Sequence, residues 1–402
     1  MTATGHQHPA TPAATTRPAA PCGTDNVQYA QSLATGAVGI TLLHIERAAL
    51  GLSRPDTVRD WLTGSTAQPL IASDHASLFL GAPALAFVLN TSAGTTGHHH
   101  ETLHTLDRAV TNLTARRLAA AHARIDRGEH TITGEYDLLY GLTGLGAHLL
   151  RRDPHSETLH NVLAYLVRLT QPLPDTGLPG WWVRHDPSGR TSKLFPGGHG
   201  NLGLAHGITG PLALLALAKQ AGADVDGHTD AMLRILDWLD GLRQDTGGGP
   251  WWPQWVTTDE HRHRLSLQTG PGRPSWCYGT PGLARAQQLA AIALRDEQRK
   301  QDAETALLRC ITNPAQLAQI SDRGLCHGAA GLLHTVHRVA QDADRPARFT
   351  VHLPALRGLV HAMSPAPRPG FLDGTAGTAL ALHATDRGGA PATGWDACLL
   401  LS

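Results

Sequence analysis

Several side chains capable of chemistry stand directly in front of a glycine in this chain: His206 before Gly207, Cys277-Tyr278 before Gly279, and Cys326-His327 before Gly328. Two thiolates and an imidazole make a ligand set for Zn²⁺. Three protein ligands leave the fourth tetrahedral position open, as catalytic zinc sites do. Cys277, Cys326 and His327 are therefore the candidate metal ligands. A histidine near such a site that is not needed as a ligand is a natural general acid or base, and His206 fits that role. Asp137, four residues before Gly141, can accept a hydrogen bond from His206 and so set its tautomer or raise its pKa. Each residue also has a plainer reading. Cysteine is among the most buried residue types, His206 could pack or cap, and Asp137 could be an ordinary acid at a helix N-terminus. Registration favours chemistry, because the same location in the local pattern carries reactive groups again and again.

That pattern is a repeat. A Gly-x-x-Gly signature, or a close variant, runs into an apolar helical stretch at Gly36, Gly81, Gly141, Gly207, Gly279, Gly328 and Gly374. The second copy alone lacks the second glycine and has Ala84 there. The intervals are 45, 60, 66, 72, 49 and 46 residues, each with room for two helices and their connections. Between the signatures, 102–125 and 231–242 carry apolar residues three or four apart, which reads as amphipathic helix. Short strand candidates occur only around Trp181–Val183 and Trp255–Thr257. Seven helical hairpins can stack as an open solenoid or close into a ring. An open array needs polar end caps, yet the first and last copies are as apolar as the middle ones. The expectation is an all-α fold, an α/α toroid of seven helical hairpins, in which equivalent positions on successive hairpins face a common centre. An irregular helical domain is the alternative.

Composition narrows the function. The chain has 402 residues, with 33 basic and 33 acidic side chains, so the formal net charge is zero and nothing draws it as a whole to nucleic acid or an anionic membrane. Hydrophobic residues are 41% and aromatics only 5%, which favours close-packed Ala- and Leu-rich helices over a β-sandwich. No apolar run approaches the ~20 residues of a membrane span, and the first residues lack the apolar stretch of a secretory signal. Five cysteines, an odd number, do not suggest a disulfide scaffold. A reducing cytoplasmic setting is expected. Residues 1–25 are rich in Ala, Thr and Pro and read as a disordered tail, with 26–402 as one domain. Cys310 and Cys398 lack the register of the other two and read as packing residues. The run His98–His100 reads as a solvated polar loop. Two matched tryptophan pairs, Trp181-Trp182 and Trp251-Trp252, lie in long Gly/Pro loops. They could line a cavity mouth and grip an extended peptide, or pack on the toroid rim.

These motifs resemble the lanthionine synthetase C-like (LanC) family. The likeness rests on LAHGITG around His206, SWCYGTPG around Cys277, GLCHGAAGLLH around Cys326 and His327, and GFLDGTAGTALAL near the end, and spans about residues 28 to 390. The resemblance implies an α/α toroid holding one zinc on Cys277, Cys326 and His327. It implies addition of a cysteine thiol of a precursor peptide to a dehydroalanine or dehydrobutyrine of the same peptide, giving a lanthionine or methyllanthionine thioether ring. His206 would be the acid/base with Asp137 as its partner. Arg273 and Tyr278, which flank Cys277, would stabilise the enolate. The length suits a stand-alone cyclase, whose substrate is a dehydrated precursor peptide and whose partner is a dehydratase in a biosynthetic complex. Two other readings share these residues: addition of a different thiol, such as glutathione, to dehydrated residues, and a zinc-stabilised peptide-binding scaffold without catalysis.

Overall fold

Each first glycine of the repeat is followed at once, or after one residue, by a buried helix. In chain order these inner helices are Ala37–Ala49, Ala82–Thr96, Leu142–Arg152, Thr209–Gln220, Thr280–Leu294, Ala329–Asp342 and Thr375–Arg387. The computed structural model describes residues 27–96 and 100–402. The expected tail at 1–25, Cys22, His98 and His99 lie outside the described residues, and His100 opens a helix. Outer helices alternate with the inner ones: Pro55–Ser65, His100–Asp126, Glu157–Leu169, His228–Asp240, Glu297–Ile311 and Leu353–Ala362. They are amphipathic. Glu157–Leu169 buries Leu159, Val162, Leu163 and Leu166 on one stripe and is capped by Ser156, whose side chain accepts from the Leu159 N–H. Every inner helix packs on the next, and the last packs on the first, so the array closes into the expected α/α toroid.

The repeat glycines shape a recurring loop, from which the second copy departs: the Gly81 N–H bonds Gln31 O, and Gly81 takes a left-handed backbone. The N–H of the first glycine bonds four residues back (Gly36 to Ser32, Gly141 to Asp137, Gly279 to Ser275). The N–H of the second bonds seven back (Gly144 to Asp137, Gly282 to Ser275, Gly331 to Gly324, Gly377 to Gly370). The second glycine therefore lies against the backbone of the residue six before it. A Cβ on Gly331 would sit 1.9 Å from the Leu325 carbonyl oxygen, and one on Gly377 1.8 Å from that of Phe371. Gly39, Gly144, Gly210 and Gly282 repeat the contact. Because the obstacle is backbone, it cannot swing aside. Gly331→Ala is expected to displace the loop carrying Cys326 and His327 and to cost about 1–3 kcal/mol, read as a lowered Tm. The reverse change in the copy that dispenses with this glycine, Ala84→Gly, should cost no more than about 1 kcal/mol.

The loops are also joined around the ring. Leu33 donates its N–H to Phe79 O, Leu138 to Ala205 O, Leu204 to Cys277 O, Cys277 to Cys326 O, Cys326 to Leu372 O, and Leu372 to Ala34 O. Between the second and third loops Arg117 bridges, donating to Ala76 O on one side and Tyr140 O on the other. The residues before the glycines are thus held on one continuous rim.

After the last inner helix the chain turns into the bore as a short 3₁₀ turn, Trp395–Leu399, in place of a seventh long outer helix. Trp395 stacks on His334 with ring centroids 4.6 Å apart, and Asp396 accepts from His334 Nε2 at 2.8 Å. Trp276, next to Cys277, donates its indole N–H to Leu399 O at 3.0 Å.

The strands are few and short. β1 (His199–Asn201) pairs antiparallel with β4 (Trp255–Thr257), and β2 (Gln244–Thr246) with β3 (Gly249–Trp251). The Trp255–Thr257 candidate is a strand, whereas Trp181–Val183 contributes only bridges from Val183 to Thr131 and His199. Trp181, Trp182, Trp251 and Trp252 are all buried. Trp182 donates to Gly197 O and Trp252 to Leu239 O. The tryptophan pairs are packing residues that anchor the long loops, and none of the four lines the cleft that holds His206.

Candidate metal centre and acid–base site

Loops five and six bring Cys277, Cys326 and His327 together. Their ligand atoms all lie within 4.8 Å of one another, the one cluster of its kind among the described residues. The Cys277 N–H to Cys326 O bond joins the two loops at the ligands themselves. Cys277 is buried, Cys326 and His327 partly so. The Cys277 thiol is held well below its ordinary range, first by the hydrogen bond from Cys326 and then by His327 and Ser275. Its partner Cys326 is pushed well above its range by the Cys277 thiolate and by burial, and His327 is raised through its bond to Cys277. Two converging thiols with an imidazole beside them, all within one ion's reach, are a donor set that fits Zn²⁺. Cys310 and Cys398 are buried elsewhere. Burial pushes the Cys310 thiol up to about 12, as for an inert packing residue.

His206, on the fourth loop, and Asp137, on the third, are in direct contact: Nδ1 and Oδ2 are 2.6 Å apart. Asp137 is fully buried. Its other oxygen accepts from the N–H groups of Tyr140 (2.7 Å) and Gly141 (2.8 Å). The carboxylate is therefore fixed from behind, and Nε2 is left as the ring nitrogen available for chemistry. Tyr140 stacks on the imidazole at 5.7 Å, and the Tyr278 ring lies tilted to it at 6.1 Å. The Tyr278 hydroxyl accepts from Asn201 Nδ2 at 3.1 Å, and burial pushes its pKa up to about 12. His206, Tyr278, Tyr140 and Asn201 line a cleft of about 490 Å³.

Arg273 does not line that cleft. Its Nη1 is 3.5 Å from Asp322 Oδ2, and the same carboxylate oxygen is 3.5 Å from His327 Nε2. Asp373 approaches the other ring nitrogen of His327 at 3.8 Å. Asp322, Asp373, Tyr140, Asn201 and Ser275 lie against the candidate residues and were not among those the sequence singled out. A signal for them existed. Tyr140 and Asp373 occupy the place directly before the first glycine, and Asn201, Arg273 and Asp322 all stand six before it.

The family description that matches this chain is "Lanthionine synthetase C-like protein", over residues 28–400. The nisin biosynthesis protein NisC of Lactococcus lactis subsp. lactis is 24% identical over 210 residues, which are 51% of this chain and 49% of that protein. The match thus spans about half the length of the curated relative. A solved structure of nisin cyclase superposes with a TM-score of 0.79 at 20% identity, covering 93% of this chain and 92% of its own, which establishes the shared fold. No helix among the described residues is long and apolar enough to cross a membrane. With the family pattern running from the first described helix to the end of the bore-filling segment, this chain belongs to the lanthionine synthetase C-like family.

Proposed function

We propose that this protein is a zinc-dependent lanthipeptide cyclase. It adds cysteine thiols of a dehydrated precursor peptide to dehydroalanine or dehydrobutyrine of the same peptide. The observation that carries this reading is the imidazole of His206, tethered to a buried carboxylate on the same rim of loops that gathers Cys277, Cys326 and His327. Zn²⁺ held by those three residues would lower the pKa of a substrate thiol brought to it and leave it a thiolate at neutral pH. When the sulfur forms its bond to the β-carbon of the dehydro residue, the C=C electron pair moves onto the amide as an enolate. A proton must then reach Cα. His206 Nε2 takes up the proton that the thiol loses and returns it to Cα, with the Nδ1–H donated to Asp137 so that the ring is held in one orientation. Tyr278 stands beside His206 with a hydroxyl proton that burial keeps in place, suited to hydrogen-bonding the enolate oxygen. Arg273 acts at one remove, holding Asp322 against the metal ligand His327.

The test is direct. The purified protein, given a dehydrated cysteine-containing peptide, should consume free thiols faster than the uncatalysed addition and give one ring pattern, followed by alkylation and mass spectrometry. A rate equal to the uncatalysed one sinks the reading. Consumption of added glutathione in preference to the peptide's own cysteine would reassign the substrate. The carboxylate behind His327 has its own consequence. Asp322→Asn should weaken zinc binding ~10–100-fold, measured by competition with a chelating dye.

A further inference from the structure

The connections that run from outer to inner helices all lie at the metal end of the toroid. Of the nine large apolar side chains exposed among the described residues, six are in those connections: Leu70, Ile132, Tyr140, Leu194, Leu265 and Leu267. Exposed apolar side chains gathered on one face mark a binding surface. Two of the six, Ile132 (60% exposed) and Tyr140 (58%), border the His206 cleft itself.

That cleft does not end at Ile132. A second one, of about 550 Å³, begins there and shares Ile132 and His185 with the first. Its remaining walls are Gly128–Thr131 on one side and Arg184 and Thr191 on the other. No residue from the position directly before a repeat glycine reaches it, so it carries none of the machinery assigned above. It is nonetheless fixed relative to that machinery. Thr131 bridges to Val183, Val183 bridges to His199 in β1, and β1 contains Asn201, which binds Tyr278. Its charges are unequal in availability. Glu129 is engaged by Arg127. Arg184 is exposed and makes no ion pair or hydrogen bond with another described residue.

We propose that this second cleft is a binding subsite for the flank of the peptide substrate. An extended segment on one side of the reacting residue lies across Ile132, places an apolar side chain against it, and brings an acidic side chain to Arg184. The proposal rests on the cyclase reading for the identity of the occupant. A continuous channel with an apolar step and then one uncommitted cation suits an extended chain better than a small thiol, which the first cleft alone would hold. Selection of flanking sequence would then be separate from the chemistry at His206.

The test uses charge reversal and needs no turnover. A labelled, unreactive version of an extended peptide has serine in place of its cysteine and dehydro residue, with leucine and aspartate in the flank. Versions with the flank on either side of the reacting position are titrated by fluorescence anisotropy. The wild-type protein should bind one of the two at least ~10-fold more tightly than a peptide without the flank. Arg184→Glu should lose that preference, and a peptide with lysine for the aspartate should regain it on the variant while binding the wild type poorly. Ile132→Ser should weaken both by a similar factor. Arg184 is exposed, so an unchanged Tm is expected and excludes misfolding. If neither flank adds affinity, or if the swapped peptide is not rescued, the subsite is wrong even where rings still form. If the rescue holds but no ring forms from the reactive peptide, the subsite stands and the cyclase reading falls.

Discussion

His206→Asn is expected to keep its metal and its affinity for the dehydrated peptide while ring closure slows by ~10²–10⁴-fold, the usual contribution of a positioned proton transfer. Asparagine can still meet Asp137 with its amide N–H but has no group that can hold and release a proton near neutral pH. Thiols add slowly to dehydroalanine without help, so residual rings are expected, and the informative readout is rate and ring pattern over time. Loss of zinc in this variant would make His206 a ligand or a ligand's support and would end the three-ligand assignment. Full rate with full metal would move the proton transfer elsewhere, with Tyr278 next in line because its ring borders the same cleft. Asp137→Asn should show a smaller loss. The carboxylate reaches the reaction only through the imidazole, but it also closes its own loop by accepting from the N–H groups of Tyr140 and Gly141. An asparagine oxygen can keep that turn. A larger effect at Asp137 than at His206 would mean that their roles are reversed.

The pairing of these two residues shows what was legible in the sequence. The position four before the first glycine closes the repeated loop: Ser275 Oγ accepts from the Tyr278 N–H, and Ser32 Oγ from the Thr35 N–H, as Asp137 does from Tyr140. A serine there offers one oxygen, held at the turn, whereas an aspartate carries a second oxygen that reaches the neighbouring loop. Asp137 was therefore readable as the one copy in which a turn-closing residue could also serve a neighbour. The ring and the inner-helix starts were legible for the same reason. The glycines mark backbone-on-backbone contacts that no other residue fits, and such constraints are written in the local sequence.

Features that depend on distant partners were not legible. The tryptophan pairs could be read as a peptide grip or as rim packing, because exposure cannot be read from composition, and the acceptors of Trp182 and Trp252 lie 15 and 13 residues away along the chain. The segment that fills the bore reads as another apolar stretch. Its fit depends on Trp276 and Arg285 of the fifth repeat and on His334 of the sixth. The register of Asp322, six before the glycine, marks it as a polar position, but only folding brings Arg273 and His327 to the same oxygen.

The remaining large effect concerns the metal. Pure protein should carry about one equivalent of zinc, and Cys277→Ala, Cys326→Ala or His327→Ala should each reduce it to near background by metal analysis. Cys310→Ala should leave it unchanged, because that thiol is buried in an outer helix. The difference follows from the geometry. Removing any one of three converging ligands leaves two, too few to hold the ion against dilution. Small zinc domains unfold when stripped, because the ion is most of their core. Here the loops bearing the ligands are joined by backbone bonds around the rim and rest on a continuous apolar core that runs from Leu33 to Leu401. The stripped variants should therefore keep their helical circular dichroism and cooperative unfolding, and lose cyclase activity without losing the fold. An unfolded apo protein would show that the ion organises the rim. Zinc retained by Cys326→Ala would show that Cys277 and His327 bind it with some other partner, for which Asp322 and Asp373, the carboxylates nearest His327, are the residues to replace next.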